Sequence, residues 1–189
     1  RVNGDPLDPL SWTSFTVKNT NGGLIDNWVY SIEVGEGDNI WFGTEAGLSL
    51  YDGKQWYKWD HKNGLGAAYD LVKSDNTLAT DTFQGSHHNT QSNDLQNTGY
   101  SNYRPNYIVS MLLDKKKRLW IGTWGGGLSM FDPKSKTFRN FTVKDGLPGN
   151  YILALNQGSD GNLWIGSNKG LTSFDGSIFK TYSKINGLI

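Results

Sequence analysis

One phrase recurs along this chain, and the distance between its copies restricts the fold more than any other feature. It reads Leu119-Trp120-Ile121-Gly122-Thr123, then Gly127-Leu128, then Phe131-Asp132. It returns as Leu163-Trp164-Ile165-Gly166-Ser167, Gly170-Leu171 and Phe174-Asp175, and an earlier copy reads Ile40-Trp41-Phe42-Gly43-Thr44, Gly47-Leu48 and Tyr51-Asp52. Trp120 and Trp164 are 44 residues apart, and Trp41 and Trp120 are 79 apart, about two periods. A fainter copy at residues 74–81, with Leu78 in the tryptophan slot, divides that gap into steps of 37 and 42. A period of roughly 40–45 residues made of short strands is the mark of propeller blades.

The rest of the period repeats as well. An apolar stretch precedes each good copy, at residues 28–32, 107–111 and 151–155, as expected of an innermost strand with both faces covered. An alternating aromatic stretch follows, at 55–59, 137–141 and 178–182, as expected of a rim strand with one wet side. Each unit therefore offers four strands, A to D from centre to rim. The tryptophan on strand B fits the gap between twisted sheets, and the glycine after it admits a close neighbour. The sequence predicts an all-β propeller with four four-stranded antiparallel blades at about 27–60, 67–103, 106–142 and 150–183. Residues 1–10 read as an N-terminal extension. Residues 11–18 read as an extra outer strand, because Phe15-Thr16-Val17-Lys18 matches Phe141-Thr142-Val143-Lys144. That surplus strand leaves three arrangements open: a piece of a longer propeller, a four-bladed ring with a spare strand, or partial rings that cover each other's open edges.

These motifs, from the Trp-x-Gly-Thr/Ser phrase to Gly146-Leu147-Pro148-Gly149-Asn150, resemble the two-component regulator propeller repeat. The resemblance covers about residues 11–189, and it is specific around Trp41, Trp120 and Trp164 and weak around Leu78. It implies a β-propeller, often seven-bladed in that family. It further implies a periplasmic or extracellular sensor region of a bacterial regulator, a setting in which many members respond to carbohydrates. A fold hosts many functions, so this implies the fold more strongly than the activity.

Composition narrows the partners. Eighteen Lys and Arg balance eighteen Asp and Glu, so nothing in the charge favours nucleic acid or an anionic membrane surface. No run is long and apolar enough for membrane insertion, and the absence of cysteine removes thiol chemistry. The chain opens with Arg1 rather than Met, as a processed or trimmed chain would. The cluster Lys115-Lys116-Lys117-Arg118 falls where strands A and B turn and reads as a solvated hairpin tip.

No catalytic residue, metal site or cofactor is expected. Of three histidines, His61 sits in a loop, and His87 and His88 are adjacent, so on a strand they point to opposite faces and cannot share a metal. No nucleophile elbow, P-loop or zinc-protease helix is present. Streptogramin lyases use propellers of similar repeats, but their His/Glu constellation has no counterpart here. Asp52, Asp132 and Asp175 each close strand C before a turn and read as turn formers.

Two candidate surfaces remain. In a propeller the B–C and D–A loops meet at one mouth, which here gathers Glu45, Trp124, Asn168 and Lys169 with Asn27, Arg104, Asn106 and Asn150. An aromatic for stacking on a sugar face, beside amides and charges for its hydroxyls, suits a carbohydrate or another small ligand. The competing reading is that the asparagines only bond their own loops. The second surface is the polar stretch 82–103, where His87, His88, Tyr100 and Tyr103 are candidate contacts for a protein partner, or the polar edge of an outer blade. The functional expectation is a non-catalytic ligand-binding sensor propeller. Its alternative is a structural or protein-interaction propeller within a larger assembly, including self-association through an open blade edge.

Overall fold

In a computed structural model of the chain, residues 4–73, 103–182 and 187 are described. They form three four-stranded antiparallel sheets, each paired in chain order. The first holds β1 (Val29–Val34), β2 (Ile40–Thr44), β3 (Leu48–Tyr51) and β4 (Trp56–Trp59). The second holds β5 (Arg104–Leu113), β6 (Leu119–Trp124), β7 (Leu128–Asp132) and β8 (Thr137–Phe141). The third holds β9 (Ile152–Gln157), β10 (Leu163–Ser167), β11 (Gly170–Phe174) and β12 (Phe179–Tyr182).

Local chemistry sets the turns. The carboxylates of Asp52, Asp132 and Asp175 each accept backbone N–H groups two or three residues on, which fixes the turns from strand C to strand D. The hydroxyls of Thr44, Thr123 and Ser167 donate to the carbonyls of Gly47, Gly127 and Gly170 at 2.7, 2.8 and 3.1 Å, closing the turns from strand B to strand C. After strand D the chain enters a short 3-10 turn, at His61–Asn63 and Val143–Asp145, each with a reciprocal capping box.

The sheets pack face to face through a joint that occurs twice. The strand-B tryptophan of one sheet meets the aromatic near the end of strand C in the next. Trp41 faces Phe131 at 5.7 Å and 71°, and Trp120 faces Phe174 at 5.9 Å and 73°. The strand-B glycine receives the next sheet's strand-A isoleucine. A methyl group on Gly43 would stand 2.5 Å from Cγ2 of Ile108, and one on Gly122 would stand 2.8 Å from Cγ2 of Ile152. Glycine is therefore required there by the neighbouring sheet. Two equivalent cores result, one around Trp41, Leu48, Ile108 and Phe131, the other around Trp120, Leu128, Ile152 and Phe174.

Two expectations are corrected. Trp41 and Trp120 are 3% and 2% exposed, but Trp164 is only half-buried, because no described sheet covers its outer side. Residues 11–18 are not a strand: Pro9–Ser11 is a 3-10 turn and residues 13–16 carry no regular structure. The alignment of Phe15 with Phe141 nonetheless holds in packing. Phe15 lies 5.6 Å from Tyr51, as Phe141 lies 5.8 Å from Phe174. The Trp41 sheet touches the Trp120 sheet directly, and the weak blade expected over 67–103 falls mostly on residues that are not described. Residues 69–72 of that stretch are a helical turn, α1 (Tyr69–Val72), and residues 74–102 lie outside the described residues.

Candidate functional site

The loops from B to C and from D to A come together at one end of the sheets. Glu45 N–H donates to the Trp28 carbonyl at 3.3 Å, and Asn168 N–H donates to the Tyr151 carbonyl at 3.1 Å. Trp124, the last residue of β6, bridges to Tyr151 at the start of the next sheet.

Asn27, Asn106 and Asn150 stand fourteen residues before Trp41, Trp120 and Trp164 respectively. Each accepts a backbone N–H from the preceding loop, from Val17, His61 and Val143. Asn150 is fully buried. These three side chains fasten each loop to the strand that follows it.

Glu45 and Arg104 come together as an ion pair at 2.9 Å, with both side chains mostly covered. Their charges cancel within the site. Trp124 is not an open platform. Tyr107 stacks on it at 5.8 Å and 22°, and Tyr151 meets it edge-on at 5.4 Å and 86°. Asn168 and Lys169 are exposed on the loop after β10. Tyr103 is half-buried against the chain itself. Its hydroxyl donates to the Ala67 carbonyl, its ring meets Tyr69 at 5.3 Å, and burial pushes its pKa up to about 12. His87, His88 and Tyr100 lie outside the described residues.

The structure adds aromatics that sequence reasoning passed over. Tyr30 packs on Tyr107 at 4.7 Å, so Tyr30 of β1, Tyr107 of β5, Trp124 at the end of β6 and Tyr151 just before β9 form one row. Burial and a hydrogen bond with Tyr30 push the Tyr107 hydroxyl well above its ordinary pKa, so it stays protonated as a donor. Trp28, 49% exposed, and Tyr30 are the open aromatics at this end. The signal was in the sequence, since an aromatic follows each of Asn27, Asn106 and Asn150. Away from the mouth, Asp114 is buried and accepts the Trp120 indole N–H at 2.9 Å and the Arg118 guanidinium at 2.7 Å. Burial works to raise its pKa, but these donors outweigh it and hold the carboxyl below its ordinary range. Among the described residues, no three His, Asp or Glu side chains are grouped to hold a metal.

The family description "two component regulator propeller" matches residues 102–125 and 146–169, which span the paired A and B strands and B–C loops of the second and third sheets. These two stretches, 48 of the 189 residues, match that repeat. The chain is 42% identical over 45 residues to Histidine kinase P4 of Formosa agariphila, covering 24% of this chain and 3% of that protein. Its fold is similar to the extracellular domain of the hybrid two component system BT3049 from B. thetaiotaomicron. There the TM-score is 0.66 and the identity 21%, over 94% of this chain and 19% of that one. It is also similar to virginiamycin B lyase from Staphylococcus aureus bound to quinupristin, with TM-score 0.54 and 11% identity, over 90% of this chain and 44% of that one. The chain thus spans less than half the length of each protein it resembles here. These structural likenesses show a β-propeller fold that serves both sensors and a lyase.

Proposed function

We propose that the repeats form part of a non-catalytic sensor propeller outside the cytoplasmic membrane, in the periplasm or the extracellular space, and that the mouth takes a small ligand of the carbohydrate class. The observation that carries this reading is the aromatic row Tyr30–Tyr107–Trp124–Tyr151, flanked by exposed Trp28 and closed by the neutralised Glu45–Arg104 pair. Rings supply apolar area for a sugar face, and phenol hydroxyls and amides supply directed hydrogen bonds. The likeness to a hybrid two-component system's extracellular domain supports the setting. Among the described residues no helix is long and apolar enough to cross a membrane.

The test is an oligosaccharide titration followed by tryptophan fluorescence. A saturable change that is lost in Trp28→Ala and Tyr30→Ala supports the mouth. No response to any glycan, together with a crosslinked protein partner that maps to the same loops, would favour the structural or protein-interaction reading. One observation favours that second reading: Ile32 and Val34, on strand A of the first sheet, are exposed apolar residues.

A further inference from the structure

A cleft opens between the second and third sheets at the end opposite the mouth, where the A–B hairpins and the C–D turns gather. Its floor is the buried apolar trio Trp120, Leu163 and Phe174. Its walls are charged and opposite in sign. Lys116 and Arg118, from the β5–β6 hairpin, line one side, and Asp175, from the β11–β12 turn, lines the other. The buried Asp114 also borders the cleft, but its carboxylate is occupied within its own hairpin. Its Oδ1 accepts the backbone N–H groups of Lys116 and Arg118, and its Oδ2 accepts the Arg118 guanidinium and the Trp120 indole N–H. The guanidinium uses Nε and Nη2 for this and lies 5.3 Å over the Trp120 ring, which leaves Nη1 without an acceptor among the described residues. The Lys116 ammonium likewise has no acceptor among them. Asp175 accepts the N–H groups of Ser177 and Ile178 on Oδ1 alone. The N–H groups of Ile178 and Ser177 hold its carboxyl below its ordinary range, so it is ionised at neutral pH. Gln157 ties the two walls together: its Oε1 accepts the Lys115 N–H at 3.1 Å and its Nε2 donates to the Gly161 carbonyl at 2.9 Å.

The joint between the first and second sheets is built differently at this end. Gly35 N–H bonds the Asn39 carbonyl as Asp114 N–H bonds that of Arg118, so Gly35, Gly37 and Asn39 stand in place of Asp114, Lys116 and Arg118. Lys117 stands where the third sheet has Gly161, and it crosses to Glu36 of the first sheet at 2.9 Å. In the second joint that space is open, since a methyl group on Gly161 or Gly176 would meet no atom within 4 Å.

We propose that this cleft binds a small zwitterion of the α-amino acid class, its carboxylate toward Lys116 and Arg118, its ammonium toward Asp175 and its side chain toward the apolar floor. The charge pattern selects the class. A simple anion would meet Asp175, and a simple cation would meet Lys116 and Arg118. The charges of Lys116 and Arg118 balance those of Asp114 and Asp175, and a net-neutral ligand leaves that balance undisturbed. Charge-assisted hydrogen bonds at both ends would fix its orientation. An apolar surface with a few convergent polar groups is the usual anatomy of a small-molecule site. This site is separate from the mouth and does not rest on the reading given to it.

Calorimetric titration of the full 189-residue chain at neutral pH tests this. The probes are norvaline, butylamine, which lacks its carboxylate, and pentanoate, which lacks its ammonium. Norvaline should give a saturable heat, and each analogue should bind about tenfold or more weakly, the cost of one lost hydrogen-bonded charge. Lys116→Met should weaken norvaline by a similar factor. Asp175→Asn keeps an oxygen for the Ser177 and Ile178 N–H groups, and it should weaken norvaline without weakening pentanoate. Urea midpoints check that both variants fold, and both alter exposed side chains. A response of the mouth to oligosaccharide should be unchanged in Lys116→Met, so either site can fail without the other. Three outcomes overturn the proposal: no saturable heat with norvaline, an analogue that binds as tightly as norvaline, or folded variants that bind norvaline as wild type does.

Discussion

Asn106 Oδ1 accepts the backbone N–H of His61, 45 residues before it in the chain. Asn150 makes the same contact with Val143 across 7 residues, and Asn27 makes it with Val17 across 10. One loop closure is thus spanned by two chain lengths of the ordinary size and one that is far longer. Between Trp41 and Trp120 the chain runs 79 residues, against 44 between Trp120 and Trp164, and the excess lies between one loop and the strand to which it is fastened, where 45 residues stand against 7.

Deleting residues 68–105, so that Ala67 precedes Asn106 as Gly149 precedes Asn150, should therefore leave the three-sheet stack intact. Thermal unfolding followed by circular dichroism should keep a single cooperative transition and the β signal. A chain that no longer folds would show that the stretch supplies part of the core.

The asparagine tethers are structural in this account. Asn106→Ala and Asn150→Ala should each cost about 1–3 kcal/mol, the penalty for leaving a covered backbone N–H without its acceptor. Urea titration measures this. A fluorescence response to ligand that disappears while the fold is unchanged would move these residues back into the binding site.

The three repeat tryptophans should not be equivalent. Trp41→Ala and Trp120→Ala each open a cavity between two sheets and should cost about 3–5 kcal/mol. Trp164→Ala should cost clearly less in the monomer, because that ring is only half-buried. Equal losses at all three in dilute solution would mean that Trp164 is covered in the single chain.

Asp114 predicts an acid dependence. Its carboxyl is held below its ordinary pKa, so the stabilisation it provides is fully present above the free carboxylate value of about 3.9 and is lost as pH falls through the lower folded value. Asp114→Ala strands the Trp120 indole N–H and should cost about 1–3 kcal/mol at neutral pH. The gap from wild type should narrow as the solution is acidified. Urea midpoints across a pH series check both, and a gap that is constant down to strong acid would exclude the carboxylate as its source.

The repeating phrase determined by itself what recurs locally. Strand order within a sheet, the Asp52, Asp132 and Asp175 turns and the burial of Trp41 and Trp120 all follow from side-chain chemistry within one period. A blade's internal pairing depends only on neighbours close in sequence, so its pattern is legible there. What tertiary structure decided is which periods meet. The chain length between Trp41 and Trp120 equals about two periods, and counting residues cannot distinguish a fourth blade from a long connection. The contact between Trp41 and Phe131 shows that the Trp41 and Trp120 sheets meet directly, which no residue count encodes. The mouth followed the same logic. Glu45, Arg104 and Trp124 were legible as residues at one end of the sheets. That Glu45 and Arg104 neutralise each other, and that Tyr107 and Tyr151 enclose Trp124, depends on side chains that different sheets bring within reach, and no spacing within a period encodes that.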